Sequence, residues 1–162
     1  MKPNGMAIAV GGLLFMGALQ GVRADTASET YRIQGKAVTL AHYSKAFVGP
    51  GNVRVEVAPY KSADGKEGAI LAFHGVESKW DGKAINHAVQ PAAYDGAHYV
   101  ATYNGKPWHT LQMSKVYGEE QWTLFLPDVK NGITLTPSDG AAQLTNPREL
   151  FQQYQAQQKE GK

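Results

Sequence analysis

Six Asx-Gly dipeptides divide this sequence, after residue 24, into short segments. They are Asp64-Gly65, Asp81-Gly82, Asp95-Gly96, Asn104-Gly105, Asn131-Gly132 and Asp139-Gly140. Asx-Gly pairs favour the positive-φ backbone of tight hairpin turns. The segments between them alternate in polarity or are rich in β-branched and aromatic residues. In 53–57, for example, three valines share one face and two charged residues share the other. This pattern restricts the chain to antiparallel β structure.

Segments with strand character lie at 31–43, 53–57, 68–73, 98–103, 108–115, 121–126 and 132–136. Segment 68–73 is uniformly apolar, which indicates a strand that is buried on both faces. Short strands separated by turns are typical of a sandwich or a barrel. The sequence therefore predicts an all-β fold, an antiparallel sandwich or barrel of about seven to eight short strands, with one C-terminal α-helix.

The start of the helix is marked by Asn146 as its cap and Pro147 at its first position, with Glu149 two residues later. Three apolar residues then share one face: Leu150, Phe151 and Tyr154. The spacing predicts a helix over about 147–157 that docks this face on the sheet and ends in a frayed, solubilising tail.

Residues 1–24 have the features of a secretory signal peptide. Lys2 supplies a positive charge, residues 6–19 are uncharged and apolar, and Val22-Arg23-Ala24 offers a cleavage site. The apolar run is shorter than the roughly 20 residues that span a bilayer. We therefore expect cleavage before Asp25 and a single β domain over 25–162. We also expect a soluble periplasmic or secreted protein without a stable membrane anchor.

Charge and cysteine content exclude several classes of function. Residues 1–24 hold two of the sixteen basic residues and no acidic one, which leaves fourteen of each in 25–162. That segment carries no cluster of Lys and Arg, so binding to nucleic acid is not expected. The chain has no cysteine, so thiolate nucleophiles, cysteine-based zinc sites and disulfides are excluded.

Two stretches, 74–87 and 98–109, share one sequence pattern: His-x-Val, an aromatic residue, Asx-Gly-Lys and a second His. In both, a Gln follows three residues after the second His (Gln90, Gln112). A two-residue turn at Asn104-Gly105 would pair Tyr103 with Lys106, Ala101 with Trp108, and Val100 with His109. The equivalent turn at Asp81-Gly82 would pair Val76 with His87 and Ser78 with Ile85. The two stretches are therefore expected to form similar hairpins.

The first register separates two faces of the 98–113 hairpin. One carries His98, Val100, His109, Leu111 and Met113, and we expect it to face the core. The other carries Tyr99, Tyr103, Lys106, Trp108, Thr110 and Gln112. Its aromatic residues, with Trp80 nearby, suggest a platform that binds a partner. The alternative is that a second sheet covers the same face.

The histidines offer a second hypothesis. Each hairpin would set two histidines diagonally across its strands, His74 with His87 and His98 with His109, roughly 7–8 Å apart at Cα. Imidazole is a common ligand for zinc, copper and nickel. No HxH or HExxH spacing is present, and a hydrogen-bonded structural role explains each ring equally well. We therefore predict no metal and no cofactor, with these four histidines as the alternative site.

Catalytic signatures are absent from the sequence. There is no G-x-S-x-G motif, and the carboxylates of the Asx-Gly pairs are accounted for by their turns. We predict no enzymatic activity. The leading hypothesis is a periplasmic binding protein that recognises an envelope protein or a cell-wall glycan, possible roles being an inhibitor or immunity-type protein. The alternatives are a His-dependent metal-binding protein and an envelope hydrolase. Partner identity and oligomeric state are left open.

Overall fold

A computed structural model describes residues 30–161, so the predicted signal peptide lies outside the described residues. The strands are β1 (Thr30–Ile33), β2 (Lys36–Leu40), β3 (Lys45–Val48), β4 (Arg54–Ser62), β5 (Glu67–His74), β6 (Ala84–Ala92), β7 (Gly96–Tyr103), β8 (Lys106–Val116), β9 (Glu119–Leu124) and β10 (Ile133–Pro137). A 3₁₀ turn spans Pro50–Asn52, and two helices follow the strands: α1 (Asp139–Leu144) and α2 (Pro147–Glu160).

Strands β3 to β10 form a closed antiparallel barrel. Each pairs with its neighbour in the chain, and β10 pairs back with β3 through Thr136 opposite Val48. The β1–β2 hairpin lies outside the barrel and pairs with the last part of β4, where Leu40 is opposite Tyr60. The predicted all-β fold is confirmed, and of the two predicted architectures the chain adopts the barrel.

Side chains that alternate along the strands fill the barrel. Val55 and Val57 of β4 and Leu71 and Phe73 of β5 are completely buried in its interior. They pack with Phe47, Leu111, Leu124, Leu126 and Leu135. The valine alternation in 53–57 therefore marks the inward face of β4.

A second core lies on the outer face of β4 and β5, between the barrel and α2. Phe151 is completely buried there against Tyr31 and Tyr60, with ring centroids 4.7 and 6.3 Å away. Ile70 and Ala72 point outward from β5 into this core, so β5 is buried on both faces, as its uniform apolarity predicted.

The predicted C-terminal helix is confirmed and is slightly longer than expected, since α2 continues to Glu160. The side chain of Asn146 accepts a hydrogen bond from the backbone N–H of Arg148, and Pro147 occupies the first position. The buried face consists of Leu150, Phe151 and Tyr154, as the sequence indicated. The short helix α1 precedes it, with Ser138 as its cap.

The Asn104-Gly105 turn has the predicted register, and Leu111 and Met113 face the core as predicted, but the faces predicted for Tyr99, Tyr103, Trp108 and His109 are wrong. Tyr103 pairs with Lys106, Ala101 with Trp108, and Val100 with His109. A β-bulge then makes Tyr99 pair with Leu111, so that Thr110 is an extra residue on β8. Tyr99, Tyr103 and Trp108 pack in the barrel core, together with Leu111 and Met113 beyond the bulge. His109, which was assigned to the core, is exposed.

The hairpin predicted at Asp81-Gly82 does not form. Strand β5 ends at His74, residues 75–83 form a loop, and β6 begins at Ala84. His87 pairs with Ala69 rather than Val76, and Ile85 pairs with Leu71 rather than Ser78. Within this loop, the Trp80 side chain packs on Phe73, with ring centroids 5.6 Å apart. Within residues 30–161, no helix has the length and apolarity needed to cross a membrane.

Candidate functional site

The two ends of the barrel differ. At the end where β7 turns into β8, aromatic side chains close the interior: Tyr103 lies 6.1 Å from Trp80 and 6.2 Å from Trp108 between ring centroids. The Trp108 indole N–H donates a 2.9 Å hydrogen bond to the carbonyl of Phe125, which joins this aromatic group to the β9–β10 loop. These contacts fill the interior at this end of the barrel, which we call the closed end.

The opposite end carries a pocket of about 670 Å³. It opens where β4, β6 and β8 end and where β3, β5, β7 and β9 begin. Its lining comes from these strand ends and from the segment that crosses from β2 to β3: Thr39, Leu40, Ala41, His42, Tyr43, Lys45, Pro59, Tyr60, Lys61, Ser62, Glu67, Gly68, Ala69, Val89, Ala97, Tyr99, Met113, Glu120 and Trp122. The volume lies in the range of small-molecule sites.

The floor of the pocket is apolar and largely aromatic. Tyr99 and Trp122, both 5% exposed, lie with ring centroids 6.3 Å apart. Ala69, Val89 and Met113 complete the floor. Burial raises the pKa of Tyr99 to about 12, so its phenol stays neutral across the physiological range.

The rim of the pocket carries charges of both signs. Lys45 and Lys61 face the pocket, as do Glu67 and Glu120. The Trp122 indole N–H donates a 3.3 Å hydrogen bond to Glu120 Oε2. Lys45 Nζ lies 6.0 Å from the centroid of the Trp122 ring. The rim can therefore donate and accept hydrogen bonds beside an aromatic surface, without an excess of either charge.

Exposed tyrosines surround this open end. Tyr43, in the segment between β2 and β3, is 58% exposed and lines the pocket. Tyr94 in the β6–β7 turn and Tyr117 in the β8–β9 turn project from the same end and are 87% and 103% exposed. Both have positive φ, 55° and 52°, a conformation that is strained for a bulky residue. Strain of this kind is frequent at functional sites.

Tyr60 and Gly68 shape the outer wall of the pocket. They are cross-strand partners on β4 and β5, and the Tyr60 ring lies over the space that a side chain at position 68 would fill. The Tyr60 hydroxyl donates a 2.6 Å hydrogen bond to Asn86 Oδ1. Burial raises the pKa of Tyr60 to about 12 against the opposing effect of this bond, so the hydroxyl remains a donor.

The predicted partner-binding residues are distributed over both ends. Tyr99 lines the open pocket. Trp80, Tyr103 and Trp108 belong to the closed end, and Trp80 is only 8% exposed. Lys106 is exposed beside the Asn104-Gly105 turn at that end. Whether any of them binds a partner stays a prediction.

The four histidines of the alternative metal site do not come together. His87 is completely buried inside the barrel, where it contacts Thr110. His74 pairs with Glu56, with His74 Nε2 2.8 Å from Glu56 Oε2. His98 and His109 contact one another on the outer wall. No group of three or more His, Asp or Glu side chains able to hold a metal ion occurs within 30–161.

Sequence reasoning missed the open pocket and Trp122 in its floor. The available signal for this end was a pair of turns. In them, Tyr94 and Tyr117 occupy positive-φ positions that glycine or asparagine usually fills. No protein-family model, no curated protein and no solved structure matches this chain. The assignment of function therefore depends on the geometry of the pocket.

Proposed function

We propose that this protein is an extracytoplasmic binding protein that holds a short segment of a cell-envelope glycan in the open end of the barrel. The observation that carries the proposal is the 670 Å³ pocket, which combines an aromatic floor with a polar rim of both charges. Aromatic rings pack against the apolar faces of sugars, while flanking polar groups bond their hydroxyls.

The depth of the pocket favours a compact ligand over one with a long apolar tail. Below Tyr99 and Trp122, the barrel is filled by Leu71, Leu111 and Leu124, all completely buried. An acyl chain would need an empty, apolar shaft at this position. A ring that lies flat in the mouth requires only the space above the floor.

The charges at the rim argue against a strongly anionic or cationic ligand. Two lysines and two glutamates face the pocket, so an ion would meet one group of its own sign for each group of the opposite sign. Sugar hydroxyls can use both kinds of group, because they donate to carboxylates and accept from ammonium groups.

The extracytoplasmic location is supported by residues 1–24, whose charged, apolar and small-residue regions follow the order of a signal peptide. Cell fractionation and N-terminal sequencing test it. The expected result is a periplasmic or secreted protein that begins at Asp25, and a cytoplasmic protein that retains Met1 would contradict the location.

A fluorescence titration tests the ligand class. Replacing Trp80 and Trp108 by Phe leaves Trp122, in the floor, as the only tryptophan of three. Soluble cell-wall glycan fragments and neutral oligosaccharides are then titrated. We expect a saturable change in Trp122 emission, and we expect Tyr43→Ala to weaken binding about thirtyfold, as for an aromatic hot spot.

Lys106→Ala is the control, because Lys106 is also exposed but lies at the closed end. It should leave the affinity unchanged. A pull-down from the periplasm completes the test. The pull-down could capture an envelope protein in stoichiometric amount, and Tyr43→Ala could leave that binding unchanged. This result would overturn the glycan site and favour protein recognition instead.

A further inference from the structure

Two imidazoles face one another on the outer wall of the barrel, away from the pocket. His98 Nδ1 on β7 lies 3.0 Å from His109 Nδ1 on β8, and the ring planes are inclined at 84° with centroids 4.9 Å apart. His98 is half-buried and His109 is exposed. The two Nδ1 atoms therefore face one another at a place that solvent can reach.

The β-bulge explains why the rings meet. His109 pairs with Val100, and the extra residue Thr110 turns inward to the barrel. On the far side of the bulge, His98 lies opposite Gln112 of β8 and Gln90 of β6. Bulges commonly re-aim a side chain in this way. The two glutamines that follow the histidine motif thus flank His98 on the sheet.

The separation of the two nitrogens matches that of neighbouring ligands on one metal ion. Two nitrogens about 2.0 Å from a metal lie about 2.8–2.9 Å apart in square-planar geometry and about 3.3 Å apart in tetrahedral geometry. The observed 3.0 Å, which is also the length of the hydrogen bond between the rings, lies between these two values. Among divalent first-row metals, Cu²⁺ binds a site of nitrogen ligands most tightly.

We propose that His98 and His109 form a Cu²⁺ site, with both Nδ1 atoms as ligands and water in the remaining positions. Without metal, one Nδ1–H donates to the other Nδ1. With metal, both rings carry their proton on Nε2, so one ring changes tautomer. Two protein ligands leave the site exchangeable, and the bulge holds them close together.

Electron paramagnetic resonance on the untagged, purified chain with ¹⁵N-labelled histidine tests the site. We expect one Cu²⁺ with hyperfine coupling to two imidazole nitrogens. His98→Gln and His109→Gln should each remove one coupled nitrogen and weaken binding at least about tenfold. His42→Gln is the matched control, because His42 is exposed outside this wall and should not matter.

Melting curves of the variants without metal establish that each is folded. We expect them to fold, because both rings lie on the surface of the barrel. Two results would overturn the site. One is wild-type copper affinity in the double variant His98→Gln/His109→Gln. The other is a wild-type spectrum without coupling to two histidine nitrogens.

Discussion

His87 Nε2 lies 2.9 Å from Thr110 Oγ1 inside the barrel, and His87 Nδ1 lies 2.9 Å from the carbonyl oxygen of Ile85. Because a carbonyl can only accept, Nδ1 carries the proton and donates it, while Nε2 accepts from the threonine hydroxyl. The imidazole is therefore bonded in its neutral form. Burial between Phe73 and Trp80 lowers its pKa from 6.5 to about 4, against a smaller opposing effect of the bond to Ile85.

This lowered pKa predicts a loss of stability in mild acid. Between pH 6.5 and about 4, the unfolded chain protonates His87 while the folded chain does not, so the free energy of unfolding falls as pH falls. The loss should approach about 3 kcal/mol at the lower limit. Urea unfolding from pH 7 to pH 4.5 measures it. His87→Gln should flatten this part of the profile, whereas His42→Gln should not, and a profile that His87→Gln leaves unchanged would contradict the assignment.

Trp108→Ala should destabilise the barrel by about 3 kcal/mol, because it opens a cavity at the closed end and removes the hydrogen bond to the Phe125 carbonyl. Trp108→Phe retains most of the packing and should cost less. Chemical denaturation of both variants gives the comparison. If Trp108→Ala melts like the wild type but loses a partner, the binding surface is at the closed end after all.

Tyr117→Asn should stabilise the fold and weaken ligand binding. The residue has φ 52° and is fully exposed, and asparagine tolerates this conformation better than tyrosine. We expect a gain of about 1 kcal/mol and a melting temperature that rises by roughly 3–5 °C. In the fluorescence titration, affinity should fall about tenfold. A gain in stability with unchanged affinity would remove Tyr117 from the binding surface.

Gly68→Ala should displace Tyr60, since the new methyl group would overlap the tyrosine ring and break its bond to Asn86. The expected cost is about 1–3 kcal/mol, together with altered ligand affinity because both residues line the pocket. Gly140→Ala is the control, as a side chain there meets nothing within 4 Å. Equal melting temperatures for the two variants would show that Tyr60 can move without cost.

Local features made much of the fold predictable. The register at Asn104-Gly105 follows from a two-residue turn, and the capping residues of α2 and its buried face follow from helical spacing. The register at Asp81-Gly82 could not be obtained in the same way. There the dipeptide lies within a longer loop, in which Trp80 buries its ring on Phe73, a contact that the dipeptide itself does not indicate.

The inward face of the 98–113 hairpin also depended on more than local pattern. Period-two counting assigns one face to Leu111 and His109, but the bulge at Thr110 shifts the count by one residue along β8. No residue in the sequence marks this bulge. Its effect is seen only in the folded barrel, where it places Trp108 and Leu111 together in the interior.

By itself the sequence determined the class of fold, since turn residues and alternating polarity act between near neighbours. Only the tertiary structure decided that β10 pairs with β3, which closes the barrel and leaves one end plugged and the other open. The same closure brings Tyr99 and Trp122, from strands that are not adjacent, onto one floor. Contacts of this kind depend on the packing of the whole interior, which no segment encodes alone.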